Sequence, residues 1–173
     1  MREILNDIDQ WRSQNKRVAV ARVVDIEGSG PRDPGAAMAV NQDGVVSGSV
    51  SGGCVEDDLI ARIKAGEYEH LAYPSMVAYG ATKEEAARFG LPCGGTLRLV
   101  QEPVLDTTWI EQVLQRTRAH QLVARTLSLK DGQVTLRDAQ RGETLQFDGM
   151  TLTTLFGPRW RLLLIGAGQL SQA

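Results

Sequence analysis

Cys54 and Cys93 each stand inside a glycine-rich segment, GSVSGGC over 48–54 and GLPCGG over 90–95, and a third such segment, GSGPRDPGA, runs over 28–36. Glycine permits positive φ and lets backbone N–H groups come close to a ligand, and concave runs of such groups bind anions. Arg32 adds a cation to the third segment. A helix expected after Gly53 would add the positive end of its dipole. Cys54 falls at or just before that helix start, a setting in which reactive thiols are found. Two thiols, an arginine and many N–H donors suit an anionic small molecule that carries sulfur or a metal.

That chemistry requires the three segments to meet. Each follows or precedes an expected strand, so all three are expected to gather at one end of a sheet. Ile4, Leu5, Ile8 and Trp11 recur at helical spacing over 2–14, and RVAVARVVDI over 17–26 is a continuous, β-branched run of the kind that forms a buried strand. AAMAV, a turn at Asp43-Gly44 and VVSGSVSGG then predict a hairpin. CVEDDLIARIKAGE places Val55, Leu59, Ile60 and Ile63 on one helical face, with Glu56, Asp57 and Asp58 in a first turn that favours acids. Further on, the pattern predicts a strand near 76–79, a helix over 82–88 with Thr82 as N-cap and Glu85 closing a capping box, and a strand ended by Pro103. A helix follows over 107–120, capped by Thr107 or Asp106, and then strands over 122–155. Helices interleaved with hairpins predict an α+β fold, a mixed sheet with hairpins and packed helices, rather than a regular βαβ repeat. From Gly157 the character changes: WRLLLIGAGQLSQA is a hydrophobic strand running into Gly166-Ala167-Gly168, as the first strand of a Rossmann-like α/β domain runs into its phosphate-binding turn. The expected division is a domain over 1–156, followed over 157–173 by a linker and the truncated start of a second domain.

Composition narrows the classes. The 173 residues are 42% hydrophobic and 23% charged, which describes a globular chain with a core of its own. A net charge of −2 offers no general attraction for nucleic acid or an anionic membrane. No apolar run is long enough for a membrane span, and the N-terminus lacks the layout of a secretion signal, so a cytoplasmic protein is expected. Two cysteines in glycine turns are no disulfide framework.

Plainer roles compete at each position. Free cysteines pack under turns as small apolar residues. A zinc site of Cys54, Cys93, His70 and His120 lacks any C-x-x-C pairing. Ser49 and Ser51 do not sit in a G-x-S-x-G elbow and read as hydrogen-bonding surface residues, and Arg32 also suits a turn contact. Acids in a first helical turn need no further role. Trp11 and Trp109 read as core.

Taken in order, GSGPRDPGAAMAV, DGVVSGSVSGGCVED and GLPCGGTLRLVQEP resemble the N-terminal domain of the XdhC/CoxI family, the xanthine dehydrogenase accessory factors, over roughly residues 15–103. The family's second domain is Rossmann-like and opens with a strand and GAG turn such as RLLLIGAGQLSQA has. The resemblance implies a non-enzymatic chaperone that binds the molybdenum cofactor (molybdopterin) and protects it while a cysteine desulfurase sulfurates it. It then inserts the cofactor into a molybdenum hydroxylase of the xanthine dehydrogenase type. Carried over by motif, Cys54 and Cys93 are the cofactor-contacting residues, with Arg32, Ser29 and the backbones of Gly28, Gly52, Gly53, Gly94 and Gly95 around them. No catalytic residue is implied, the thiols meet metal only through the cofactor, and a nucleotide is expected only with a complete C-terminal domain. One alternative is a cysteine-dependent sulfur-transfer or redox enzyme using that nucleotide; another is a docking or dimerisation domain. An exposed RLLLI edge favours a homodimer.

Overall fold

A computed structural model describes residues 1–28, 32–67, 71–89 and 95–158. Its central strand, β1 (Val18–Glu27), is buried over its first seven residues. A strand with no polar face has to be covered on both sides. Alternate side chains point to opposite faces, and the core divides accordingly. Ala19, Ala21 and Val23 pack in one cluster with Val55, Leu59 and Ile63 of the helix α2 (Cys54–Lys64). Val18 and Val20 pack in another with Ile4, Leu5 and Ile8 of α1 (Arg2–Ser13) and with Trp109, Ile110, Val113 and Leu114.

Around β1 the first sheet has the order β3-β2-β1-β5-β4, with β2 Ala37–Asn41, β3 Val46–Gly48, β4 Ser75–Tyr79 and β5 Thr96–Pro103. The short helix α3 (Lys83–Arg88) lies between β4 and β5 in sequence, and α4 (Thr108–Arg118) follows β5. The second sheet, order β7-β6-β9-β8, is built from β6 Val123–Ser128, β7 Val134–Asp138, β8 Gln146–Phe147 and β9 Thr151–Phe156. Val24 and Val100 of the first sheet meet Leu127 and Leu152 of the second. Thus α2 covers one face of the first sheet, while α1, α4 and the second sheet cover the other.

The α+β class is borne out, and the turn and cap expectations largely hold. Gly44 takes φ +79° in the β2–β3 turn, where Asn41 Oδ1 accepts hydrogen bonds from the N–H groups of Asp43 and Val45. Thr82 Oγ1 accepts from Glu85 N at 3.2 Å. At α4 it is Asp106, rather than Thr107, whose side chain accepts from Thr108 N at 3.0 Å. One expectation changes: the sheets are antiparallel at every described pair rather than mixed. The reason lies in β5, which returns against β1 with Glu27 opposite Thr96 and Ala19 opposite Pro103.

Between the layers lie three charges. Arg125 donates through Nη2 to Glu102 Oε1, and its guanidinium sits 3.9 Å from the Trp109 ring centre. Arg22 donates to the Gly35 carbonyl at 3.0 Å and lies over Phe156. Burial lowers the Arg22 pKa to about 10, with the Arg125 charge adding to that effect and Glu102 opposing it. The segment 159–173, with its GAG turn, lies outside the described residues.

Candidate functional site

Strand register decides which ends of the chain segments meet. β1 ends at Glu27 opposite Thr96, the first residue of β5, and β4 ends at Tyr79 opposite Leu97. β3 ends at Gly48 opposite Met38, near the start of β2. Gly28, the 49–53 loop and Gly95 therefore stand at the same end of the sheet, while residues 29–31 and 90–94 of the other two glycine-rich segments lie outside the described residues. Gly28 and Gly95 come into contact there: a Cβ built on Gly28, whose φ is +84°, would lie 3.3 Å from the Gly95 Cα. Arg98 ties the same two strand ends together, pairing with Asp25 and, at 3.2 Å, with Glu27.

The 48–54 segment is organised by a residue to which the sequence pattern assigns no more than a dipole role. Glu56, in the first turn of α2, turns its carboxylate back onto the loop before the helix. Its Oε1 accepts from the Ser49 hydroxyl at 2.8 Å and from the N–H groups of Val50, Ser51 and Gly52 at 2.9, 2.7 and 2.7 Å. Its Oε2 accepts from the Ser51 hydroxyl and from Gly53 N at 2.9 Å. Burial acts to raise the pKa of this carboxyl. The hydrogen bonds from Gly52, Ser51 and Gly53 outweigh it and hold the carboxyl well below the usual carboxylate range. The N–H groups expected to receive an anion thus already hold one from the protein itself. Ser49 and Ser51 serve the same carboxylate, which is the local, hydrogen-bonding role expected of them.

Cys54 is the next residue, the first of α2, exposed and in no disulfide. Asp58 lies one helical turn further along the same face. It accepts a hydrogen bond from the Tyr79 hydroxyl at 3.0 Å and pairs loosely with Arg88 at 3.9 Å. Tyr79 in turn accepts from Arg62 at 3.4 Å and meets Phe89 edge-on, with ring centres 4.8 Å apart. Burial, with help from Asp58, raises the Tyr79 pKa to about 12, so the phenol stays protonated. This network fixes the Cys54 face of α2 against the end of β4 and against α3. The sequence pattern gives Asp58 only a place in an acidic first turn and gives Tyr79 no role; the available signal was the i, i+4 spacing of Asp58 from Cys54.

Among the other expected site residues, Arg32 is exposed in the 28–36 connection, and Gly52 and Gly53 are exposed with open space where a Cβ would stand. Ser29, Cys93 and Gly94 lie outside the described residues, as does His70. A cavity of about 470 Å³ beside α4 and the β6–β7 turn is lined by Glu102, Asp106, Trp109 and Gln133, and no expected site residue borders it. No described helix is long and apolar enough to cross a membrane.

Comparison with known proteins bears directly on the segment that carries Cys54. Residues 11–72 match the XdhC and CoxI family. This match bears out the resemblance in the first two glycine motifs; the GLPCGG motif at 90–95 lies beyond it. Over 50% of its length the chain is 30% identical to a probable xanthine dehydrogenase subunit of Bacillus subtilis (strain 168), covering 26% of that protein. Over 66% of its length it is 28% identical to the molybdenum cofactor insertion chaperone PaoD of Escherichia coli (strain K12), covering 35% of it. The chain therefore spans about a quarter to a third of these curated relatives. A crystal structure described as a xanthine dehydrogenase from Bacillus halodurans shares the fold, with a TM-score of 0.67 and 23% identity over 89% of this chain and 52% of that one. Of these two curated relatives, one is named for molybdenum cofactor insertion and the other for xanthine dehydrogenase.

Proposed function

We propose that this chain is the cofactor-receiving domain of an XdhC/CoxI-type chaperone, which binds molybdenum cofactor as cargo and delivers it to a molybdenum hydroxylase of the xanthine dehydrogenase type. The observation that carries the proposal is Cys54, exposed at the head of α2 at the glycine-rich end of the sheet, within the segment that matches the family. An exposed thiol suits a soft, sulfur-rich metal centre. The cargo's phosphate is a different matter, because the Gly52 and Gly53 N–H groups are committed to Glu56. We assign it to Arg32 and to the Gly28, Ser29, Gly94 and Gly95 backbones, with Cys93 as the second thiol. Delivery of a bound cargo needs no turnover, so the domain works as a binding module and not as an enzyme.

In this proposal residues 157–173 open a second, Rossmann-like unit, and any nucleotide belongs to that unit. Support comes from the GAG turn and from the short share of its relatives that this chain covers. A cytoplasmic homodimer that receives sulfurated cofactor from a cysteine desulfurase completes the picture. The test is reconstitution of the cofactor-free partner hydroxylase with the full-length chaperone and its Cys54→Ser and Cys93→Ser variants. The proposal expects wild type to activate the partner and the variants to lose most of that activation. Equal activation by all three would overturn it.

A further inference from the structure

We propose that Glu56 is the resident anion of the 50–53 loop: it fixes the backbone from which Cys54 projects and closes that loop's N–H groups to oxyanions from solution. The inference concerns the same loop as the proposed cofactor site and gains its biological meaning from that proposal, but it stands on geometry alone. Four consecutive backbone N–H groups, Val50 to Gly53, converge on one carboxylate, joined by the hydroxyls of Ser49 and Ser51. A concave run of N–H groups ahead of a helix is the arrangement with which proteins hold phosphate. Here the negative group is tethered to the chain three residues after the last donor, so a free anion has to compete with an intramolecular one.

The Cβ positions of Gly52 and Gly53 face open space, so steric hindrance does not close the loop to a ligand; occupancy by Glu56 does. A helix N-terminus that only needed its orphan N–H groups satisfied would take one cap, typically a side chain at the N-cap position. The N-cap here is glycine, and of the donors that Glu56 accepts from only the Gly53 N–H belongs to the helix N-terminus; those of Val50, Ser51 and Gly52 precede it. A thiol cradle of this kind selects for a soft contact at Cys54 and against free phosphate or sulfate.

The test uses no cofactor, so its outcome is independent of whether the proposed cargo binds. In Glu56→Ala the donors lose their anion. Inorganic phosphate at ten times its dissociation constant is then expected to raise the melting temperature by roughly 3–6 °C. In a Cys93→Ser background, phosphate is also expected to slow alkylation of Cys54 in Glu56→Ala by at least half. In the Glu56-containing chain it should change neither quantity. Glu56→Gln, whose amide oxygen still accepts from the loop, should stay insensitive to phosphate. A residue that merely stabilises the fold would lower the melting temperature when removed without creating phosphate sensitivity, and that result would overturn the proposal. Equal phosphate sensitivity in the Glu56-containing chain would do the same. If Glu56→Ala unfolds in phosphate-free buffer, recovery of the fold on adding phosphate supports the proposal and failure to recover refutes it.

Discussion

Replacing Glu102 with alanine tests the layered architecture most severely. The Glu102 side chain is 11% exposed and that of its partner, Arg125, 2% exposed, so the change leaves a guanidinium deep between the sheets without its carboxylate. Removing one member of such a pair costs about 3–5 kcal/mol. Two local effects act in opposite directions. Arg22 lies close enough for its charge and that of Arg125 to disfavour one another, and Glu102 relieves that repulsion. Trp109, 3.9 Å from the Arg125 guanidinium, retains a cation–π contact of about 2 kcal/mol in a desolvated setting. The expected loss is therefore near the lower end, about 3 kcal/mol, equivalent to a drop of roughly 6–12 °C in melting temperature for a chain of this size. Urea unfolding followed by circular dichroism measures it. The double variant Glu102→Ala, Arg125→Met removes both charges and should recover at least half of the loss, because an apolar pair needs no desolvated ion. Cys54 alkylation under native conditions should not change, since α2 covers the opposite face of the first sheet. A loss below about 1 kcal/mol, or additive effects of the two single changes in the double variant, would refute the reasoning.

Three further changes probe the site's frame. Gly28→Ala forces a Cβ into a backbone with φ +84° and against the Gly95 Cα, and should cost at least about 1–2 kcal/mol in the same urea assay; a neutral result would mean that the two glycine segments do not meet. The folded-state pKa of Glu56 is depressed below its ordinary value of 4.5, so its contribution to stability is present above that pH and declines as pH falls through and below it. The stability gap between wild type and Glu56→Gln should accordingly be constant above about pH 6 and narrow from pH 5 downward; a gap that widens in acid would contradict the hydrogen-bond geometry. Tyr79→Phe keeps the ring contact with Phe89 but deprives Asp58 and Arg62 of the hydroxyl, with an expected cost of about 1 kcal/mol, read from urea unfolding; no cost would show that the Asp58 link does not hold α2.

Much of this frame was legible in the residues. The β-branched run of β1, the Asp43-Gly44 turn and the acidic first turn of α2 each follow from local preferences, and those preferences agree with the final fold. What escaped was non-local. Nothing in RVAVARVVDI says that its alternate residues face a helix on one side and two helices with a second sheet on the other. Nor does Arg125, set in the apolar run LVARTL, disclose that its partner stands at position 102, because sheet register depends on pairing across the chain. Glu56 is the most instructive case. An acid in a first helical turn is common enough that its type carries little information. Its combination with a glycine N-cap and a preceding SVSGG was the available signal, since an acid at the third helical position turns back onto the N-cap N–H and so onto the loop before it.

The central claim is that this domain receives molybdenum cofactor through Cys54 and Cys93. It is tested most directly by anaerobic titration of the purified 173-residue chain with the cofactor, beside its Cys54→Ser, Cys93→Ser double variant. The account predicts saturable, near-stoichiometric binding by wild type and its loss in the variant. Equal binding by both, or none by wild type, would contradict it.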